Sequence, residues 1–327
     1  MKSILAFLLV WQLTAGSSAQ DRTVAITIDD LPFAAAGTPP GTLAEAGDAM
    51  RALQVALARH KAPADLFVTG SLVEVEGEAP ARRALLKSWA DAGHRLHNHG
   101  YTHSHFSEMA VADYIADVRR GQAVVAGLRA ATGAQSAYAG FFRAPFNDLG
   151  QAAEARKALL GALAADGVRL APFTVEHEDW LFDQAYRRAL ERQDDALAKR
   201  VAAAYLVQLD AALAFAETLS METFRRGIPQ VLLIHANRLN ADQLDIMLAW
   251  LRARGYRFVT LQEAVSDPAY ASADGYAGKW GISWLHRWRQ ALGQQDRRRD
   301  EPEAPDWVGA LAEGRDASAP AGRAADN

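Results

Sequence analysis

Thr23-Val24-Ala25-Ile26-Thr27-Ile28 runs directly into Asp29-Asp30, and Leu31-Pro32 follows. The run is short, apolar and β-branched, the pattern of a buried strand, and the proline ends it. Segments of the same kind return at 65–68, 95–97, 141–143, 169–175, 230–235 and 256–260. Helical spacing fills the intervals at 43–61, 79–92, 107–132, 151–166 and 241–254, with a longer helical stretch over about 182–228. Strand and helix that alternate in this way build parallel strands with helices outside. No glycine-rich phosphate loop follows any strand, which disfavours a nucleotide-binding open sheet. The expected fold is therefore α/β, a distorted (β/α) barrel of seven parallel strands with a long helical insertion. Barrel enzymes gather their chemistry at the C-terminal strand ends. Asp29-Asp30, a histidine cluster after residue 97, Arg143 and His235 all fall at such ends.

Composition narrows the class. Half of the 327 residues are apolar and 23% are charged, an ordinary globular balance. The net charge of −4 offers no basic field to nucleic acid. Cysteine is absent, which removes disulfides, thiolate ligands and a cysteine nucleophile. Lys2, the apolar run Ile4 to Trp11 and the small residues Ser17-Ser18-Ala19 read as a secretory signal over 1–19. That run is too short for a bilayer, which takes ~20 residues, and no other stretch is expected to span one. The chain is thus expected to act in a bacterial periplasm or outside the cell. The barrel domain is expected over 20–268, an aromatic segment packing on it over 269–293, and a disordered tail over 294–327. Oligomeric state is not legible.

The chemistry-bearing stretch is Gly93-His94-Arg95-Leu96-His97-Asn98-His99-Gly100-Tyr101-Thr102-His103-Ser104-His105, which holds five of the nine histidines. His99 and His103, four apart, point the same way on a helical turn or on a tight loop imitating one. Two converging neutral imidazoles begin a zinc-like site. One aspartate of the Asp29-Asp30 pair completes a two-histidine, one-carboxylate set, and the other is free to take a proton from water. Such a site hydrolyses an amide or an ester.

In this order the motifs resemble the polysaccharide deacetylases, the NodB-homology carbohydrate esterases of family 4. Thr27-Ile28-Asp29-Asp30, Asn98 to His103, Arg143-Ala144-Pro145-Phe146, Glu178-Asp179-Trp180 and Leu233-Ile234-His235 are similar to its five motifs. The resemblance implies Asp30, His99 and His103 as ligands of a divalent ion, Zn2+ above all, with Asp29 as base and His235 as acid. It implies that Arg143 tunes Asp29 and Asp179 tunes His235. Phe146 would supply an oxyanion N–H, Trp180 a groove wall and Leu233 the acetyl-methyl pocket. The implied substrate is an N-acetylated amino-sugar polymer or oligomer. The same site would serve an O-acetyl ester or another small amide, and a silent glycan-binding protein is the reading from another class. Two departures bear on substrate fit: Asn147 stands where the family carries glycine, and Glu176 where its fourth motif begins with Asp.

Overall fold

The computed structural model describes residues 22–34, 40–131 and 140–315. The signal reading therefore lies outside the described residues, as does the end of the tail from 316 onward. Strand β1 (Thr23–Leu31) is followed by α1 (Leu43–Arg59), β2 (Ala64–Val68), the one-turn α2 (Gly70–Val73), α3 (Ala79–Asp91) and β3 (Arg95–Asn98). Next come α4 (Val111–Ala130), β4 (Phe141–Phe142), α5 (Ala153–Ala165) and β5 (Arg169–Leu170). The second half holds α6 (Asp179–Glu191), α7 (Asp195–Phe224), β6 (Gln230–His235), α8 (Arg238–Ala253), β7 (Arg257–Val259), the one-turn α9 (Leu261–Ala264), α10 (Trp284–Ala291) and α11 (Asp306–Ala312).

The seven strands form one parallel sheet in the order β5-β4-β3-β2-β1-β6, and β7 pairs with the start of β1. The sheet curls. After β5 the chain leaves β4, where Ala171 N donates to Phe142 O, and reaches β6, where Val175 N donates to Val231 O. A lone parallel bridge, Val175 to Leu232, completes that crossing. This is the distorted barrel expected from the alternation. Strand β5 is reduced: 169–175, read as one strand, is regular only at Arg169–Leu170. Pro172, inside that stretch, has no N–H for the ladder.

Strand side chains alternate between two apolar clusters. Ala25, Phe67, Phe141, Phe173, Val231, Leu233 and Val259 fill the barrel, while Val24, Ile26, Ile28, Leu66, Val68, Leu232 and Ile234 pack outward against helices. Period two makes this inevitable once both faces are covered. Helix α1 starts at a capping box, Thr42 with Glu45, worth about 1 kcal/mol.

The long helical stretch is two helices, broken at Arg192-Gln193, with Gln193 at φ 55°. By length and composition α7 is apolar enough to cross a bilayer, which corrects the expectation that no stretch besides the signal would be. Its Val201, Tyr205, Leu209, Leu213 and Leu219 are buried in the core. The expected disorder from 294 onward is also corrected over 294–315. Val308, Leu311 and Ala312, at helical spacing inside a charge-rich sequence, seat α11 in the core.

Candidate active site and metal centre

Inward-facing positions carry the site. Asp29 continues the phase of Ala25 and Thr27, His99 that of His97, Arg143 that of Phe141, and His235 that of Val231 and Leu233. Asp29 and His235 are direct register partners on β1 and β6. Asp29 is 2% exposed and Arg143 is fully enclosed. Arg143 Nη1 donates to Asp29 Oδ1 and to Thr27 Oγ1, both at 2.8 Å, and Nη2 donates to Pro172 O at 3.0 Å. Its guanidinium also lies 4.2 Å from the Phe67 ring centre, so the cation is held by a carboxylate, a hydroxyl, a carbonyl and a π face.

Asp30 is out of phase with Asp29, and a regular strand would point it away from the barrel. The register of β1 on β2 shifts between Ile28 and Leu31, and Asp30 takes φ 61°. That irregularity re-aims the side chain, and Thr69 Oγ1 donates to its Oδ1 at 3.2 Å. Both carboxylates then line one pocket.

The histidine loop is shaped by residues that were given no role above. Asn98 ends β3, donates from Nδ2 to Val118 O at 2.8 Å and accepts from Gly100 N at 2.9 Å. Asp117 on α4 accepts Tyr101 N at 2.9 Å and Thr102 N at 3.1 Å. A Cβ on Gly121 would collide with Asn98 Oδ1 and the Gly100 backbone, so a glycine in mid-helix lets α4 touch the loop. His103 sits at φ 56°, which settles the open choice: the pair is carried by a tight loop, not a helical turn.

His99 Nδ1 lies 2.8 Å from Arg143 O. A carbonyl only accepts, so Nδ1 carries the proton and Nε2 presents its lone pair. Burial lowers the His99 pKa, the two aspartates notwithstanding, which keeps the ring neutral. His99 Nε2 and His103 Nε2 stand 3.5 Å and 3.2 Å from Asp30 Oδ1. Among the described residues, these three form the one cluster of three or more His, Cys, Asp and Glu whose ligand atoms all lie within 4.8 Å of one another. Two imidazoles and a carboxylate, with the outer nitrogen of His99 anchored, suit a divalent ion.

Across the pocket, His235 Nδ1 is 2.7 Å from Asp179 Oδ1. The other oxygen of Asp179 accepts His235 N at 2.8 Å, Asn237 Nδ2 at 3.1 Å and Asn240 Nδ2 at 2.6 Å. Asp179 opens α6, where the helix dipole favours an anion. Burial disfavours a charged His235, but the charge and hydrogen bond of Asp179 outweigh it and push the pKa up to about 10. Asp179→Asn removes the carboxylate that favours the protonated form. The alkaline limb of the kcat profile is therefore expected to move to lower pH, and an unmoved limb would separate Asp179 from the titration of His235.

The pocket has a volume of about 530 Å³. Phe146 and Trp180 stand at its mouth, 38% and 47% exposed, and Leu233 lines its floor. A larger cavity of about 650 Å³ lies by Arg22 and Thr23, at the start of β1. It holds no histidine, so chemistry rather than size selects the site. Glu176 also lines the active pocket, its pKa raised to about 8 by burial and then by Asp179. Of the remaining histidines, His97 pairs with Asp65 at 2.8 Å in the core, and His105 stacks on Phe146 with ring centres 3.7 Å apart. Five non-glycine residues of this region, Asp30, His103, Phe146, Asn147 and Glu178, take positive φ, the clustering of strained backbone that functional sites show.

Residues 16–149 match the polysaccharide deacetylase family. That span includes the Asp29-Asp30 pair, the histidine loop and Arg143, and ends before Asp179 and His235. No curated protein matches the sequence. Among solved structures, the chain is similar to a family 4 carbohydrate esterase from Streptomyces lividans, at 20% identity over 75% of this chain and 97% of that one, with a TM-score of 0.47. It is also similar to the peptidoglycan deacetylase PdaC from Bacillus subtilis, at 18% identity over 77% and 95%, TM-score 0.47. A CE4 family pseudoenzyme from Bacillus anthracis is similar at 17% identity over 75% of this chain and 66% of that one, TM-score 0.48.

Proposed function

We propose, from the match of residues 16–149 to the polysaccharide deacetylase family, that the chain belongs to that family and is a metal-dependent hydrolase that removes N-acetyl groups from an amino-sugar oligomer or polymer. The observation that carries this reading is the pairing of Asp29 and His235 as register partners with separate counterions, Arg143 for one and Asp179 for the other. Two facing titratable groups, each with its own counterion, beside one ligand cluster are the arrangement of a base and an acid. A binding protein has no use for both.

Asp30, His99 and His103 would hold the divalent ion, with Zn2+ suited to that donor set. Such an ion supplies Lewis acidity, polarising an acyl oxygen and lowering the pKa of water to about 7. Asp29, oriented by Arg143, takes the proton from the attacking water. His235, protonated through Asp179, gives its proton to the departing amine nitrogen as the C–N bond breaks. Water and amide thus become acetate and free amine. By the family resemblance, Phe146 N–H faces the developing oxyanion, Leu233 receives the acetyl methyl and Trp180 lines the groove. The signal reading at the N-terminus supports action in the periplasm or outside the cell, on envelope or external glycan.

Acetate release tests the proposal. N-acetylglucosamine oligomers are expected to yield acetate, to stop yielding it after chelation and to resume when Zn2+ is restored. Release from O-acetylated xylan alone would make the protein an esterase. No release from either substrate by protein that also binds no metal would end the hydrolase reading.

A further inference from the structure

A wall of the pocket comes from sequence that the five motifs and the family match do not reach. Trp280, Gly281, Ile282 and Ser283 line the same cavity as Asp29, Asp30 and the two histidines. Trp280 is 59% exposed, the most exposed of the aromatic residues there. Its ring stands edge-on to Phe146 at 5.9 Å and to His105 at 4.7 Å between ring centres, each at 89°.

Its backbone is fixed on both sides. Tyr276 Oη donates to Trp280 O at 2.7 Å, and Gly281 N donates to Phe146 O at 3.0 Å. Arg287 Nη2 donates to Asn147 O at 3.1 Å, and Ser283 Oγ donates to Thr174 O at 2.8 Å. A Cβ on Gly281 would collide with the Asn147 Cβ and carbonyl. This segment is therefore seated on the 146–147 corner, the place where the chain carries Asn147 in a left-handed turn at φ 52°. Lys279, paired with Glu108 at 2.6 Å, sets a cation 5.5 Å from the indole centre.

A large apolar ring held out in water on so rigid a mount costs hydration and is expected to meet a ligand. A pyranose presents an apolar C–H face to such a ring and hydroxyls to a neighbouring ammonium. Trp180 stands beside Asp179 at the start of α6 and Trp280 beside Phe146, so the two indoles flank the reacting centre from different segments.

We propose that Trp280 is a specificity-determining residue that stacks on the sugar next to the one being deacetylated, so that the substrate is an oligosaccharide of at least two rings. This rests on the glycan reading above. The test compares Trp280→Ala and Trp280→Phe with the wild-type chain on the N-acetylglucosamine tetramer and monomer, by acetate release and by calorimetric binding of the tetramer. For Trp280→Ala, the tetramer KM and Kd are each expected to rise about tenfold, the size of one aromatic stacking contact. The loss should shrink as the substrate shortens, and Trp280→Phe should recover most of it. An unchanged tetramer Kd in Trp280→Ala, an equal loss on monomer and tetramer, or no tetramer binding by the wild type would each overturn the proposal. If the wild type binds tetramer and releases no acetate, the deacetylase reading fails, and the binding comparison alone decides the role of Trp280.

Discussion

Asp29→Asn is expected to cut kcat by ~10²–10⁴-fold, the usual worth of a general base, with no loss of bound metal. The two halves of this expectation come from different contacts. Asp29 points into the barrel and gives Oδ1 to Arg143, while its Oδ2 stays 3.9 Å from His99 Nε2. Asp30 is the carboxylate nearest both imidazoles. An asparagine keeps the shape of Asp29 and an oxygen for Arg143, but it cannot take a proton. His103→Ala should behave differently, losing metal and turnover together because one of three ligands is gone. Metal content by atomic emission, set beside acetate release, separates the two. Equal metal loss in both variants would mean that the neighbouring aspartates have their roles exchanged.

Arg143→Met should destabilise the fold by about 3–5 kcal/mol, the cost of stranding a buried charge. Asp29 is 2% exposed and would lose its hydrogen-bonded cation, and Thr27 Oγ1 and Pro172 O would each lose a donor. The double variant, Arg143→Met with Asp29→Asn, removes the stranded charge and should recover much of the loss. That non-additivity marks a coupled pair. Denaturant midpoints of the four proteins measure it, and a single variant within ~0.5 kcal/mol of wild type, as for an ordinary surface change, would show that the pair carries no stability. Activity should fall as well, since the Arg143 hydrogen bond holds the Asp29 carboxylate in place.

Much of this centre was legible in the chain. The inward phase of Asp29, His99, Arg143 and His235 follows from alternation along each strand, given where the apolar residues lie. The counterion Asp179 was reachable through the motif resemblance. Asn98 stood in the second motif without a role, and Asp117 and Gly121 were not reached, because each acts through the backbone of a neighbouring segment and none has a repeating signal. Trp280 and its neighbours read only as an aromatic segment that packs on the domain. The tail beyond 294 read as disordered because charge hid the three apolar positions that seat α11.

By itself, then, the sequence determined the parallel α/β architecture and which side chains could carry chemistry, because period, length and residue type are local properties. Only the tertiary structure decided that Asp30 turns inward, since a regular strand sends it outward and the register shift against β2 reverses that. It alone decided that His99 presents Nε2, through the carbonyl of a residue 44 positions away. It also brought the 280–283 segment to the pocket's edge. Each of these outcomes is fixed by a partner distant in the chain, and no local pattern encodes a distant partner.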